Sequence, residues 1–515
     1  MRLNRTKNAI KNSVWGIISR VVTLLMPFVV RTVMIKTIGV DYLGLSSLFI
    51  SIITVLNLTE LGIGDAIVYS MYKPIAENDR KTICALMSLY KKLYRIIGLT
   101  VLVIGACLIP FLPYLIHGET PPDVNLYILY AINLAGTVST YWLFAYQISL
   151  LNAHQRNDVI SKVSTFVYAI MYIIQILVLV TSRNYYAYFI IHPIFTIIVN
   201  LINAGMSRKL YPEYHCEGTI LKEDIEDIKR RIMGLVVSKV AFASRHSFDS
   251  IIVSAFLGLE VLAIYNNYYY LIAAISGIMV VLMSSISAGI GNSLVLETKD
   301  KNENDLRSLN FLYMSVSFIC FCCFIALYQP FMKLWVGDDL MFSDAIMLSF
   351  CSYFIVEKTL NLIGQYYDAS GLWWHGKLKS VIEALGNLIL NILLCKVFGT
   401  FGIVLASIIT MVFIGLPMTT YYVFKYSFDK SPCKYLLEQF VDLLIYGSIG
   451  CVVYIVTSLF PLGDCVINSV IYMLLRLIVT LGISFLLYFI IYRKNRRFLY
   501  AKEWATQHLR LLFRK

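Results

Sequence analysis

Long apolar runs, separated by short polar and charged segments, recur along the whole chain of 515 residues. Most of the runs are at least as long as the roughly 20 residues that an α-helix needs to cross a bilayer. Charged residues, Gly and Pro mark their ends, so the pattern predicts about fourteen transmembrane helices. The predicted spans cover residues 14–36, 43–71, 93–116, 126–151, 159–181, 185–206, 232–256, 260–291, 308–335, 343–369, 380–397, 400–424, 436–460 and 466–492.

The composition agrees with a hydrocarbon environment. Apolar and aromatic residues make up 58% of the chain, and charged residues make up 15%, against about 25% in soluble proteins. A soluble chain cannot hide that much apolar surface from water. These values exclude a soluble enzyme, a nucleic-acid-binding protein and a disordered scaffold. Most of the 11 cysteines lie inside apolar runs, which is typical of packing residues rather than metal ligands.

The net charge of +13 comes from basic residues that lie mostly in the segments between the spans. If the N-terminus is cytoplasmic, roughly three-quarters of the 44 Lys and Arg residues fall in cytoplasmic segments, as expected for a membrane protein. An even number of spans then places the C-terminus in the cytoplasm too. The basic start of the chain leads into a run of full spanning length without a cleavage site, so we expect no cleavable signal peptide.

The connections between the predicted spans are short. The largest, residues 207–231, is predicted to be cytoplasmic and carries the acidic stretch 222–227 followed by basic residues. This pattern is typical of an amphipathic helix at the membrane surface. No connection is long enough for a soluble catalytic domain, so the sequence does not indicate an enzyme.

An internal repeat divides the predicted spans into two sets of six. Residues 38–45 (IGVDYLGL) join spans one and two, and residues 257–264 (LGLEVLAI) join spans seven and eight at an offset of 219 residues. The same offset carries Arg20 onto Lys239. Because six is even, the two copies run parallel through the membrane. The predicted organisation is an N-lobe over 1–206, a cytoplasmic linker over 207–231, a C-lobe over 232–425, two further spans over 426–492 and a basic cytoplasmic tail over 493–515.

Several segments resemble one transporter family. They are the turn 38–45, the end of span two at 60–66 (ELGIGDA), the basic polar hinge 152–158 and the turn 399–403 (GTFGI). With the two lobes and two extra spans, the chain resembles the polysaccharide transporter family of the multidrug/oligosaccharidyl-lipid/polysaccharide (MOP) exporter superfamily. The resemblance implies a flippase for polyprenyl-diphosphate-linked oligosaccharides in O-antigen, capsule or exopolysaccharide assembly. It also implies alternating access through a cavity between V-shaped lobes, and polysaccharide polymerase machinery as a candidate partner.

Charged side chains inside the spans are the main functional candidates, since each one costs from about 2.5 to more than 10 kcal/mol at the bilayer centre unless it is paired or hydrated. A cationic cavity would replace the water around a diphosphate. Interhelical ion pairing is the competing interpretation, and for Arg20 so is snorkelling to the inner surface. The predicted diphosphate-binding residues are Arg20, Arg31, Lys239, Arg245, Lys358 and Arg476.

Sugar hydroxyls need amide, hydroxyl and aromatic partners, and span eight carries a run that could supply them or form an interfacial aromatic belt. The predicted sugar-contacting residues are Asn266, Asn267, Tyr269 and Tyr270. Acidic residues and a histidine are candidates for ion coupling or gating, with ion pairing as their alternative role. This set is Glu60, Asp65, His246, Asp249 and Glu357. No cofactor is expected, and the choice between Na⁺, H⁺ and the membrane potential as the driving force stays open.

Three other functions compete with a saccharide flippase in the bacterial cytoplasmic membrane. A cation-coupled multidrug exporter of the same superfamily would have twelve spans and an acidic cavity. A peptidoglycan lipid-precursor flippase differs little at the level of sequence. A membrane-embedded polymerase or glycosyltransferase would need a sizeable outer loop, whereas the outer acidic residues here are scattered over short turns.

Overall fold

The structure is a computed structural model that describes residues 5–60, 63–118, 120–220, 247–373, 375–460 and 466–499. Within these ranges the chain is helical and contains no strand, because a bilayer-embedded chain satisfies its backbone hydrogen bonds within each segment. The helices of the first half are α1 Arg5–Thr37, α2 Val40–Leu56, α3 Ile63–Glu77, α4 Arg80–Leu108, α5 Leu126–Trp142, α6 Ile148–Ala153, α7 Asn157–Thr181, α8 Tyr185–Leu210 and α9 Ser247–Leu257.

The second half continues with helices that are mostly longer. They are α10 Leu259–Leu296, α11 Lys299–Val336, α12 Asp344–Ala369, α13 Lys377–Thr410, α14 Leu416–Val423, α15 Cys433–Ser458 and α16 Val466–Tyr492. Short π-helical segments, Met411–Gly415 and Phe424–Phe428, flank α14. Ten helical segments of the described chain are long and apolar enough to cross a membrane, or eleven if the bent pair α5 and Ala145–Ala153 forms one span. The total of fourteen spans and the location of the termini stay predictions.

The chain divides into two compact units, Met1–Ala263 and Ile264–Lys515. In the first unit α1 packs on α7, α7 on α8, and α5 on both α4 and α8. In the second unit α11 packs on α12, α15 and α16, while α12 also contacts α13 and α14. The division lies C-terminal to the predicted linker 207–231, and the predicted lobe boundaries stay predictions. The acidic stretch 222–227 lies outside the described residues.

The predicted repeat has counterparts in the local backbone. Gly39 and Gly258, which correspond at the offset of 219, have φ angles of 115° and 94° immediately before α2 and α10. L-residues with side chains rarely adopt this conformation, so the two turns need glycine. A histidine also packs on a tyrosine in the hinge 152–158 and in the segment between α12 and α13, which is the matching hinge of the second unit: His154 stacks on Tyr211 at 4.1 Å, and His375, 221 residues later, contacts Tyr426 at 4.6 Å between ring centroids.

Two predicted spans are interrupted in a way that shapes the fold. The run 43–71 is divided into α2, the 3₁₀ turn Asn57–Thr59 and α3, so Glu60 lies at the break. Farther along, the helical segment α13 is kinked at Gly399, whose φ of 57° and ψ of −135° are not helical. The kink separates the predicted spans 380–397 and 400–424. Each break places polar backbone or side-chain groups inside an otherwise apolar segment.

Candidate functional site

A carboxylate at the break between α2 and α3 is surrounded by tyrosine hydroxyls. The Tyr94 hydroxyl on α4 donates to Glu60 Oε1, and the Tyr141 hydroxyl on α5 lies 2.8 Å from Glu60 Oε2. Tyr141 also lies 2.9 Å from Asn57 Oδ1. The Tyr90 hydroxyl, one turn before Tyr94, donates to the Tyr94 oxygen at 2.7 Å. Two helices, α4 and α5, therefore converge on the acidic side chain at the break between α2 and α3.

The hydrogen bonds around Glu60 run in one direction. Each tyrosine hydroxyl carries a single proton, so Tyr90 donates to Tyr94 and Tyr94 donates to the carboxylate. Tyr141 has one hydroxyl proton, and both Glu60 Oε2 and Asn57 Oδ1 lie within hydrogen-bond distance of its oxygen. No basic side chain among the described residues forms an ion pair with Glu60. Hydroxyl donors, rather than a cation, therefore support the carboxylate in the described part of the first unit.

The same residues line a cavity of about 390 Å³ inside the first unit. Its lining is mostly polar, and its described side chains include one acid and no Lys or Arg. Such a surface offers hydrogen-bond acceptors and donors together with three aromatic faces. The residues with polar side chains are Glu60, Tyr90, Tyr94, Thr140, Tyr141, Ser149, Asn152, Thr196 and Asn200.

The second unit contains a buried lysine instead. The Lys358 side chain on α12 is fully buried, and its Nζ lies 2.7 Å from Glu357 Oε2 and 2.6 Å from the Ser276 hydroxyl on α10. The ammonium also lies 4.9 Å from the centre of the Phe354 ring. These contacts neutralise the lysine locally, as a buried charge requires. In this structure Lys358 is therefore engaged in an internal ion pair.

The predicted diphosphate-binding residues are spread over different surroundings. Arg20 is exposed on α1, and Arg31 is half-buried and interacts electrostatically with Tyr188. Arg476 on α16 is buried and donates to the backbone oxygens of Ala326, within α11, and of Phe460, just after α15. Lys239 and Arg245 lie outside the described residues.

The predicted sugar-contacting residues lie on α10 and differ in exposure. Asn266 and Asn267 are buried, at 8% and 0% exposure, whereas Tyr269 and Tyr270 are half-buried. The Tyr269 ring contacts Tyr353 on α12. Neighbouring Tyr268 donates its hydroxyl proton to Gln329 at 2.7 Å. Most of this run therefore packs within the second unit, and its role in sugar binding stays a prediction.

The predicted coupling residues that the structure describes lie in different surroundings. Glu60 lies in the first-unit cavity, Glu357 pairs with Lys358, and Asp249 is 2% exposed on α9. His246 and the Asp65 side chain lie outside what the structure describes. No group of three or more His, Cys, Asp or Glu in the described residues is arranged to hold a metal ion.

Sequence reasoning missed the tyrosines that surround Glu60. Tyr90 and Tyr94 are one helical turn apart on α4, and this i, i+4 spacing places them on the same face. A pair of hydroxyls one helical turn apart at the start of the predicted span 93–116 was the available signal, but tyrosine is also common at membrane interfaces. Their convergence on Glu60 depends on contacts between distant segments.

Solved structures with the same architecture are membrane transporters. A structure described as the lipid II flippase MurJ in an inward closed conformation has a TM-score of 0.65 at 17% identity, covering 94% of this chain and 99% of that one. An inward-facing multidrug resistance MATE family transporter has a TM-score of 0.61 at 11% identity, with 82% and 95% covered. A MOP superfamily transporter from Pyrococcus furiosus has a TM-score of 0.56 at 12% identity, with 82% and 97% covered.

At 11–17% identity these likenesses show that the chain has the fold of the MurJ and MATE structures. The family model described as "Polysaccharide biosynthesis protein" matches residues 9–288, which is more than half of the chain. The chain therefore belongs to the polysaccharide biosynthesis protein family, and the resemblance found from the sequence is confirmed. No curated protein matches the chain closely enough to count as a relative.

Proposed function

We propose that this protein is a flippase that moves polyprenyl-diphosphate-linked oligosaccharide units across the bacterial cytoplasmic membrane by alternating access. The observation that carries the proposal is the polar cavity around Glu60, inside a chain of the polysaccharide biosynthesis family. A saccharide presents many hydroxyls, and the cavity offers amide, hydroxyl and carboxylate partners together with aromatic faces. We assign it to contact with sugar residues of the cargo.

The diphosphate needs a different surface. It carries about two negative charges, and its bare transfer into hydrocarbon would cost tens of kcal/mol. We assign Arg20 and Lys239, which correspond in the internal repeat, to its first contact, and Arg31 and Arg245 to its further path. The exposure of Arg20 on α1 supports this role. The membrane potential favours outward movement of anions by about 2.3 kcal/mol per charge per 100 mV, and Glu60 is our first candidate for Na⁺ or H⁺ coupling.

The test is export of lipid-linked glycan, normalised to membrane-inserted protein, for Arg20→Glu, Lys239→Glu and the double variant. Loss of one charge-assisted contact is worth about 1.5–3 kcal/mol, so we expect at least a tenfold fall in export at limiting substrate. Lys73→Glu serves as the control, because Lys73 is 83% exposed in its side chain and pairs only weakly with Glu77 at 4.0 Å. Unchanged export per molecule in all three variants would remove these residues from the substrate path.

A multidrug exporter is the second candidate, and the same cavity favours it in one respect. A single carboxylate beside three aromatic rings, with no lining cation in the described residues, can also bind an organic cation. The distinguishing experiment compares Glu60→Gln with the unmodified protein for glycan export and for resistance to cationic dyes. Reduced resistance with unchanged glycan export would favour the drug exporter. Rescue of cells depleted of their lipid II flippase would favour a peptidoglycan precursor as cargo.

A further inference from the structure

A second cavity, of about 520 Å³, lies in the second unit where α11 and α15 begin and the chain leaves α16. The basic-residue pattern predicts that this end of the three helices is cytoplasmic. The cavity is distinct from the Glu60 cavity and contains none of the residues assigned to transport. Its lining is Glu303, Asn304, Arg307, Ser308, Lys434, Glu438, Asn495, Arg496 and Arg497.

The two carboxylates of this cavity already have cationic partners. Arg307 lies 2.8 Å from Glu303 and also pairs with Glu438. Lys430 lies 2.6 Å from Glu303 and 2.5 Å from Asp300, which does not line the cavity. Arg497 is held separately by both oxygens of Asp442, at 2.6 and 2.9 Å.

Two cations of the lining remain available. Lys434 and Arg496 are exposed, and no described residue pairs with either of them. The cavity therefore has an excess of positive charge at its rim.

Two further features offer hydrogen-bond donors to an anion. Ser308 is 7% exposed and lines the cavity, yet its hydroxyl has no hydrogen-bond partner among the described residues. The first turn of α15 follows Pro432, which makes no side-chain cap. The Cys433 amide donates to the Ser431 hydroxyl at 3.4 Å, and the following amides of that turn point toward the end of the helix. A phosphate group accepts hydrogen bonds from hydroxyl, guanidinium and ammonium groups of this kind.

An apolar surface continues from the cavity along α15. Leu437, Val441 and Leu444 are exposed by 65%, 43% and 73%. At 100° per residue these positions and Lys434 fall within an arc of about 80°. A basic residue therefore stands at the end of an exposed apolar stripe. This arrangement matches a lipid with an anionic head group and acyl chains, and free phosphate would leave the stripe unused.

We propose that this cavity binds the head group of an anionic phospholipid of the membrane. Lys434 and Arg496 contact the phosphate, the Ser308 hydroxyl donates to it, and the acyl chains lie along α15. The bound lipid bridges α15 and the segment after α16, and so stabilises the second unit. Anionic lipids attract basic residues near the membrane surface. This proposal is independent of the cargo, because it concerns a resident lipid rather than the transported one.

The experiment uses the purified, delipidated full chain in neutral detergent. Its thermal midpoint is measured with phosphatidylglycerol, phosphatidylcholine or inorganic phosphate, and bound lipid is counted by native mass spectrometry. We expect phosphatidylglycerol alone to raise the midpoint, and the double variant Lys434→Ala/Arg496→Ala to bind it at least tenfold more weakly. Ser308→Ala should weaken binding by a smaller factor.

The control is Arg493→Ala/Lys494→Ala, which removes two exposed cations from the same segment but from outside the cavity. It should bind phosphatidylglycerol like the unmodified chain. If both double variants lost phosphatidylglycerol binding equally, the lipid would be held by general attraction to surface charge, and the proposed site would be wrong. An equal shift with inorganic phosphate, or with phosphatidylcholine, would overturn the assignment to an anionic lipid, and so would no shift with any of them.

Discussion

The hydroxyl of Tyr141 lies 2.8 Å from Oε2 of Glu60 and so joins α5 to the break after α2. Tyr94 makes the equivalent bond from α4 to the other carboxylate oxygen. Because these bonds have a charged acceptor, each one contributes more than a neutral hydrogen bond. The Glu60 cluster is therefore both a structural junction of the first unit and part of the lining of its cavity.

The first prediction is that Tyr141→Phe lowers the free energy of unfolding by about 1.5–3 kcal/mol, the range for a hydrogen bond to a charged group. Thermal or denaturant unfolding of the purified protein measures the effect. Tyr127→Phe is the control, because Tyr127 is exposed at the other end of α5. Equal stability of the two variants would show that the Tyr141–Glu60 bond contributes nothing measurable.

A methyl group at Gly64 would disturb the same cluster. A Cβ there would lie 2.7 Å from the Tyr90 hydroxyl oxygen, so we expect Gly64→Ala to displace Tyr90 and reduce glycan export per inserted molecule. Adding Tyr90→Phe removes the clashing oxygen and should restore part of the lost export. Gly205→Ala is the control, since its Cβ meets nothing within 4 Å. Additive effects of Gly64→Ala and Tyr90→Phe in a double-mutant cycle would contradict the contact.

Variants of the buried Lys358–Glu357 ion pair separate a structural role of Lys358 from a role in substrate binding. Lys358→Met leaves the Glu357 carboxylate without its partner, and removing one member of a buried pair typically costs about 3–5 kcal/mol. Because Glu357 is 18% exposed in its side chain, we expect the lower end of this range. Membrane-inserted protein should fall, and Lys358→Met/Glu357→Gln should recover it. Normal insertion with lost export would instead support the predicted diphosphate contact.

Acidification should loosen the hinge between α6 and α7. Burial lowers the pKa of His154 below its ordinary value of 6.5, although the Leu150 carbonyl and the charge of Glu213 oppose the shift. The unfolded chain therefore binds more protons near pH 6, so this stability is present above pH 6.5 and is lost as pH falls through the folded pKa. The other charged or titratable groups at the hinge are Arg156, Asp158, Tyr211 and Tyr214.

Hydrogen exchange over residues 148–160 and 207–216, compared at pH 5 and pH 7.5, measures this effect. The exchange is corrected for the intrinsic pH dependence of the amide. His154→Phe keeps the ring contact and should remove the extra exchange at pH 5. His375→Phe at the matching hinge is the control, because His375 is exposed. Equal protection of the unmodified hinge at both pH values would refute the prediction.

Topology can be tested directly, because the number of spans rests on the charge pattern. Reporter fusions near Asn304 and at the C-terminus should give cytoplasmic signals, and fusions near Thr120 and Asp338 should give external ones. An external C-terminus would contradict the even number of spans.

Much of the architecture follows from local sequence. Apolar runs longer than the bilayer is thick can only be helices in a membrane, and the described helices overlap all fourteen predicted runs. The turns at Gly39 and Gly258 and the kink at Gly399 were also visible, because positive φ angles favour glycine. The break that exposes Glu60 within the run 43–71 was not predicted, since its sequence remains apolar on both sides.

The partners of the charged residues were decided only by the tertiary structure. The sequence determined that Glu60, Lys358 and Arg476 lie within apolar segments and need compensation, since hydrocarbon does not solvate charge. Only packing brought tyrosines to Glu60, a serine of α10 to Lys358, and backbone carbonyls to Arg476, whereas the carboxylate of Glu357 is next to Lys358 in the sequence. Most of these partners lie 16 to 150 residues away along the chain, and hydrophobic periodicity carries no information about which distant polar groups will meet.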